Sequence, residues 1–172
     1  MSNVVLITGG TSGIGLAMAE AFIEKGNSVA VCGRSEAALA RFSQAHPNAL
    51  TIQADVTSAA ARAIMLDEVA AQFGRLDILV NNAGTFVERD FPAGIDAAGG
   101  IDEEIALNLT APIKLTSEAM ERWGDLKAIV FVTSGFALVS PTRAPTYGAV
   151  KAGLHAFAEG IRGQLEPKGT LI

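Results

Sequence analysis

Asn3–Phe22 reads NVVLITGGTSGIGLAMAEAF, and the fold is decided there. Val4, Val5, Leu6 and Ile7 form a short aliphatic run that stops at Thr8-Gly9-Gly10. A run without polar alternation is how a strand covered on both faces reads. From Ile14 the period lengthens, with Ile14, Met18, Ala21 and Phe22 recurring at helical spacing. Gly9, Gly13 and Gly15 leave the strand–helix turn almost bare of side chains. A bare turn admits a pyrophosphate close to the backbone, and the helix that follows aims its free N–H groups and positive dipole end at it.

Working outward, the chain alternates strand and helix. Lys25-Gly26-Asn27 closes the first helix, and Ser28–Cys32 is a second strand that ends at Gly33-Arg34-Ser35. Ser35 caps a helix running to Ala45. A third strand, Leu50–Ala54, leads to Asp55-Val56-Thr57 and a helix from about Ser58 to Phe73, closed by Gly74. Leu76–Val80 is a fourth strand, broken by Asn81-Asn82-Ala83-Gly84, and a loop rich in Gly and Asp runs from Thr85 to Gly100. A helix from about Asp102 to Trp123, a fifth strand Ala128–Thr133 and a helix from about Thr146 to Glu166 follow, with Leu171-Ile172 opening a sixth strand. Five strand–helix alternations imply one α/β domain over residues 1–172, a doubly wound parallel sheet with helices on both faces. In such a sheet the ligand lies beyond the carboxyl ends of the strands. The glycine turn, Gly33-Arg34, Asp55, Asn82-Ala83-Gly84 and Ser134 each follow a strand and therefore share one rim.

Composition narrows the function classes. Apolar residues make up 49% of the 172, enough for a packed core rather than a disordered chain. The net charge of −5, with 13 Lys and Arg scattered along the chain, argues against a nucleic-acid partner. One cysteine, Cys32, rules out an internal disulfide, and the isolated His46 and His155 offer no metal cluster. No apolar run approaches the ~18 residues of a membrane span, so a cytoplasmic location with no membrane partner is the expectation.

Tyr147 and Lys151 lie four apart at a helix start and share a face. An ammonium beside a phenol stabilises the phenolate, which suits an acid/base for interconverting alcohol and carbonyl. Ser134, just past strand five, can hydrogen-bond the same substrate oxygen. Pro112 has no N–H, so in a continuous helix the Asn108 carbonyl loses its partner and is free to accept from a water. At the end of strand two no acid precedes Glu36, and the Arg34 guanidinium suits a 2′-phosphate, which points to NADP(H) over NAD(H). Phe86, Val87 and Phe91, with Phe136, Leu138 and Val139, supply either an apolar substrate wall or ordinary packing.

Together Thr8–Gly15 (TGGTSGIG), Asn81–Gly84 (NNAG) and Ser134, Tyr147 and Lys151 as S-x12-Y-x3-K resemble the short-chain dehydrogenase/reductase family, in the family's order along the whole chain. The likeness is nearest to 3-oxoacyl carrier-protein reductases and to the reductase associated with D-alanylation of teichoic acids. It implies a Rossmann-like fold in which Tyr147 is the catalytic acid/base, Ser134 holds the substrate oxygen, and Lys151 binds the nicotinamide ribose. It further implies that Asn108 holds a relay water and that Asp55 and Val56 contact the adenine. Gly9, Thr11, Ser12, Gly13, Ile14, Gly15, Asn82, Ala83 and Gly84 would line the cofactor cleft. A small carbonyl or alcohol substrate and a homodimer or homotetramer follow from the same likeness. The family's sheet runs 3-2-1-4-5-6-7, so the resemblance also implies a longer protein, with strand five here an unpaired apolar edge. A nucleotide-binding regulatory domain or an inactive fragment is the alternative, although neither needs the proton-transfer residues. A methyltransferase would carry an acid after strand two.

Overall fold

The computed structural model describes residues 2–94, 99–124 and 126–172. At its centre lies β1, Val4–Thr8, every residue of which is buried. Its neighbours are β2 (Ser28–Gly33) on one side and β4 (Ile78–Asn81) on the other, both parallel to it. β3 (Leu50–Gln53) extends the sheet beyond β2 and β5 (Ala128–Phe131) beyond β4, giving the order β3-β2-β1-β4-β5. Alternate residues of the central strands β1, β2 and β4 feed two separate cores, and β3 and β5 add to the first. Val4, Leu6, Ala30, Cys32, Ile52 and Ile129 pack against α3 (Ala59–Phe73), α5 (Ala111–Trp123) and the end of α6 (Pro145–Leu165). Val5, Ile7, Val29, Val31 and Val80 pack against α1 (Gly13–Glu24) and α2 (Glu36–Ala45). Both faces of the sheet are covered, which is why its strands carry no polar alternation. The sheet is the α/β Rossmann-like arrangement that the alternation implies.

Two helices, α2 and α3, begin at serine caps. Ser35 Oγ accepts from the Ala38 N–H and Ser58 Oγ from the Ala61 N–H, each at 3.3 Å. Gly74 closes α3 at φ 72°, a left-handed conformation that costs glycine little. The buried Arg62 of α3 makes a two-point ion pair with Glu118 of α5, both contacts 2.8 Å. Its Nη1 also donates to the carbonyls of Val56 (2.9 Å) and Thr57 (3.2 Å), so the loop after β3 is tied to two helices.

Several boundaries differ from the expectation. β4 starts at Ile78 rather than Leu76: the Val4 N–H goes to the Asp77 carboxylate at 2.8 Å instead of to a backbone carbonyl, and that carboxylate also pairs with Arg75 and Lys127. β3 stops at Gln53, one residue short of Ala54, and α6 begins at Pro145 and ends at Leu165. β5 stops at Phe131 rather than Thr133; beyond it the Val132 carbonyl turns to Lys151. The helix expected from Asp102 to Trp123 comprises α4 (Ile101–Ile105), a π-helical turn (Ala106–Thr110) and α5. In the wide turn the Ala111 N–H bonds the Ala106 carbonyl five residues back, and Pro112 has no N–H to give to either Leu107 or Asn108. Residues 95–98 of the expected Thr85–Gly100 loop lie outside the described residues.

The edge of β5 is not bare along its whole length. Leu171 bridges Ala128 in parallel, accepting from Ile129 N–H (2.8 Å) and donating to the Lys127 carbonyl (2.9 Å). Two residues further along, Val130 is 38% exposed. No helix among the described residues is long and apolar enough to cross a membrane.

Candidate active site

Two cavities run side by side along the carboxyl ends of the strands. The outer one, about 350 Å³, is lined by Gly9, Thr11, Ser12, Gly33, Arg34, Asp55 and Val56, among others. The inner one, about 320 Å³, is lined by Asn82, Thr85, Phe86, Asn108, Tyr147 and Lys151, with Ile14 at its edge. Both include Gly9, Ser12, Ala83 and Gly84, so they form one elongated cleft across the crevice between β1 and β4. That crevice is where strand order reverses and where a doubly wound sheet binds its ligand.

The cleft exists because backbones come together there without side chains between them. Gly9 and Gly13 take φ of 65° and 53°. A Cβ on Gly15 would collide with the Gly9 carbonyl and the Asn82 amide, and one on Gly84 would sit 2.6 Å from Asn108 Oδ1. Gly13, in contrast, faces open space. This bare cradle at the start of α1, opening onto a cleft with room at both ends, fits a dinucleotide.

Most of the Asn82 side chain is committed to the scaffold. Its Nδ2 donates to the carbonyls of Thr8 (2.9 Å) and Gly9 (3.2 Å), pinning the end of β1 to the loop after β4. Asn108 is fully buried and straps the same loop from the π turn. Its Nδ2 donates to the Thr85 carbonyl at 3.0 Å, and its Oδ1 accepts from the Thr85 N–H at 3.1 Å. Asp55 Oδ1 accepts from Thr57 N–H (2.9 Å) and Thr57 Oγ1 (2.8 Å). Those bonds, chiefly the backbone one, with help from the Arg34 charge, hold its carboxyl below the usual range.

At the inner end Lys151 is buried, and its Nζ donates to the Val132 carbonyl at 2.9 Å while lying 5.8 Å from the centroid of the Tyr147 ring. Burial pulls the Lys151 ammonium below its ordinary range. One Val132 carbonyl takes one of its three N–H donors, leaving two for the cleft. Phe86 meets Tyr147 edge-on at 5.0 Å, and Phe136 meets it at 6.3 Å. Of the six apolar wall candidates, these two touch the tyrosine, whereas Leu138 and Val139 are about three-quarters exposed. Ser134 stands at the rim. Its Oγ accepts from the Phe136 N–H at 3.1 Å, which leaves its own proton free for an outside acceptor.

The site therefore brings Gly9, Thr11, Ser12, Ile14, Arg34, Asp55, Val56, Asn82, Ala83, Gly84, Asn108, Tyr147 and Lys151 onto one cleft. Gly15 leaves room behind it for the Gly9 carbonyl and the Asn82 amide, Gly13 takes the positive φ at the start of α1, and Ser134 is not among the lining residues. Sequence reasoning missed Arg41, which lines the outer cavity with Arg34, Ser35 and Ala38. The 35, 38, 41 spacing on a capped helix was the available signal. Cys32 also reaches this wall, but burial pushes its thiol up to about 12, so it is no nucleophile.

Comparison with known proteins shows the family. The short chain dehydrogenase family model matches residues 3–172, and the chain belongs to that family. It is 42% identical over 168 residues to the uncharacterized oxidoreductase DltE of Bacillus subtilis (strain 168), covering 95% of this chain and 66% of that protein. It is 29% identical to an L-fucose dehydrogenase of Bos taurus, covering 92% of this chain and 59% of that one. A short-chain dehydrogenase from Streptomyces avermitilis superposes with a TM-score of 0.89 at 30% identity, over 100% of this chain and 64% of that one. A variant actinorhodin polyketide ketoreductase solved with NADPH gives 0.90 at 28% identity, over 98% of this chain and 67% of that one. The chain thus spans about two thirds or less of the length of its curated relatives named here.

The cradle can be tested directly. Gly15→Ala is expected to cost about 2 kcal/mol of stability through overpacking and to weaken dinucleotide binding at least tenfold. Urea unfolding and a fluorescence titration with NADPH read both. Wild-type values for the variant would mean that the turn is looser than the structure has it.

Proposed function

We propose that the protein is an NADP(H)-dependent oxidoreductase that interconverts a small carbonyl compound and a secondary alcohol, with Tyr147 as general acid/base. The observation that carries this reading is the inner cavity, where Tyr147, Lys151 and Asn108 line one wall of a cleft whose other end holds two arginines. The cofactor would lie with its phosphates against Gly9, Thr11, Ser12 and the start of α1, and its adenine beside Asp55 and Val56. Arg34 and Arg41 would take the 2′-phosphate, the fork of a guanidinium matching a phosphate dianion better than a neutral hydroxyl. When bound, the nicotinamide supplies or accepts the hydride at the substrate carbon.

The chain's own residues handle the proton. In the reductive direction the Tyr147 hydroxyl gives its proton to the substrate oxygen, and in the oxidative direction the phenolate takes it back. The Ser134 hydroxyl, at the rim with its Oγ accepting from the Phe136 N–H, would donate its proton to the same oxygen. Lys151, desolvated and close to the ring, offsets the charge left when the phenol loses its proton, and its remaining N–H groups hold the ribose. A water at the Asn108 carbonyl would complete the path by which Tyr147 is reprotonated. The apolar faces of Phe86 and Phe136 beside Tyr147 favour a substrate with an apolar body next to its carbonyl. A homo-oligomer in the cytoplasm is the setting that goes with this reading.

Two experiments decide the assignments. Tyr147→Phe is expected to lower kcat for carbonyl reduction by at least a thousandfold, with NADPH affinity within about threefold of wild type, because the phenol acts on the reacting oxygen. Retained turnover would remove Tyr147 from the acid/base role. Arg34→Asp and Arg41→Asp should each weaken NADPH binding while sparing NADH, since each removes a charge-assisted contact and adds repulsion. Fluorescence titration with both cofactors reads the ratio, and equal loss for both would make the arginines structural.

A further inference from the structure

Behind the inner cavity lies a buried polar cluster for which the reaction as described has no use. Glu104, on α4, is 1% exposed, and Arg89, on the segment that follows β4, is 8% exposed. Glu104 Oε2 accepts from Arg89 Nη2 at 3.0 Å, from Arg89 Nε at 3.3 Å and from Thr146 Oγ1 at 2.6 Å. Arg89 Nε also reaches Thr146 Oγ1 at 3.0 Å, and Arg89 Nη1 donates to the Gly99 carbonyl. Glu104 Oε1 has no hydrogen-bond partner among the described residues. An apolar trio of similar volume would serve stability at least as well, since burying an ion pair costs about what its attraction returns.

What the cluster does have is placement. Thr146 sits in the first turn of α6, immediately before Tyr147. Arg89 belongs to the same short segment as Phe86, which meets the Tyr147 ring edge-on at 5.0 Å. The segment is stitched to the loop before α6 twice more, by Arg89 N–H to the Arg143 carbonyl (2.8 Å) and by the ion pair of Arg143 with Glu88 (3.0 Å). One carboxylate oxygen of α4 therefore bonds both the residue next to Tyr147 and the strand of chain that carries Phe86.

We propose that the Arg89–Glu104–Thr146 cluster is the positioning device that fixes the Tyr147 ring against Phe86 and Phe136 and so sets where its hydroxyl stands in the cleft. Arg89, Glu104 and Thr146 are positioning residues, acting through Tyr147 and the wall rather than on the substrate. The catalytic consequence rests on Tyr147 being the proton-transfer group; the placement of the ring does not. Misplacing a reacting group by a fraction of an ångström to an ångström costs about ten- to a hundredfold in rate.

The test exploits the fact that Tyr147 is the only tyrosine in the sequence. Protein labelled with ring-13C tyrosine gives one set of ring resonances, displaced by the ring currents of Phe86 and Phe136. Thr146→Val exchanges a hydroxyl for a methyl at constant volume; it is expected to move those resonances by more than a line width and to lower kcat about tenfold, with KM for NADPH unchanged. Thr146→Ser, which restores the hydroxyl, should return both to wild type. Arg89→Met/Glu104→Leu, which removes both charges together, should likewise show displaced tyrosine resonances. Wild-type resonances in Thr146→Val, or failure of Thr146→Ser to restore them, would overturn the proposal. So would wild-type resonances in the double variant. The Thr146 pair decides alone if the double variant does not fold. Absence of turnover in the wild-type protein would count against the reductase reading, while the resonances still decide the placement.

Discussion

The structure depends on the close approach of two strand ends at the centre of the sheet. Thr8 Oγ1 accepts from the N–H groups of Asn82 and Ala83, both at 3.0 Å, and donates to the Val80 carbonyl at 3.3 Å. One donor and two acceptor positions are thus all used, in a hydroxyl that is 3% exposed. The Asn82 amide returns the bond to the Thr8 and Gly9 carbonyls, so β1 and the loop after β4 are stitched in both directions. This junction leaves no room for a Cβ on Gly15. Replacing the Thr8 hydroxyl would take away the acceptor of the Asn82 and Ala83 N–H groups, and replacing the Asn82 amide the donor to the Thr8 and Gly9 carbonyls, at about 1–3 kcal/mol each.

From that junction the rest of the cleft follows outward. The π turn swings Asn108 under the loop after β4, where its amide and carbonyl together replace the pairing that Thr85 would have had in a sheet. Lys151 reaches across to the last carbonyl beyond β5, so α6 is registered against the same rim. On the other side Arg62 holds the Asp55–Thr57 loop to α3 and α5. Each wall is fixed by a buried polar contact rather than by apolar packing alone, which suits a site that must keep its groups placed in a wide, open crevice.

Much of this was legible in the sequence because the signals are local. The glycine turn, the Ser35 and Ser58 caps, and the four-residue spacing of Tyr147 and Lys151 are each contained in one turn or one helix. Pro112 announced the irregular helix at Asn108, although not that it would be a π turn, since register within a helix depends on what its neighbours accept. What stayed hidden links residues far apart. Thr8 and Asn82 are 74 positions apart, and Glu104 and Thr146 are 42 apart; neither pair carries a pattern that periodicity detects. The late start of β4 belongs to the same class, because Asp77 reads as a strand residue until Val4, Arg75 and Lys127 converge on it. Leu171-Ile172 opens a sixth strand in the sequence, and Leu171 does pair with β5; two apolar residues were too few to show that they would cover part of that edge.

One continuous cleft joins the two arginines beside α2 to Tyr147 and Lys151. A crystal structure of the protein grown with NADPH tests this most directly. Density is expected for a single extended cofactor, its 2′-phosphate beside Arg34 and Arg41, its pyrophosphate on the Gly9–Gly15 turn and its nicotinamide ribose against Lys151. A cofactor bound in any other orientation, or reaching neither Lys151 nor the arginines, would contradict it.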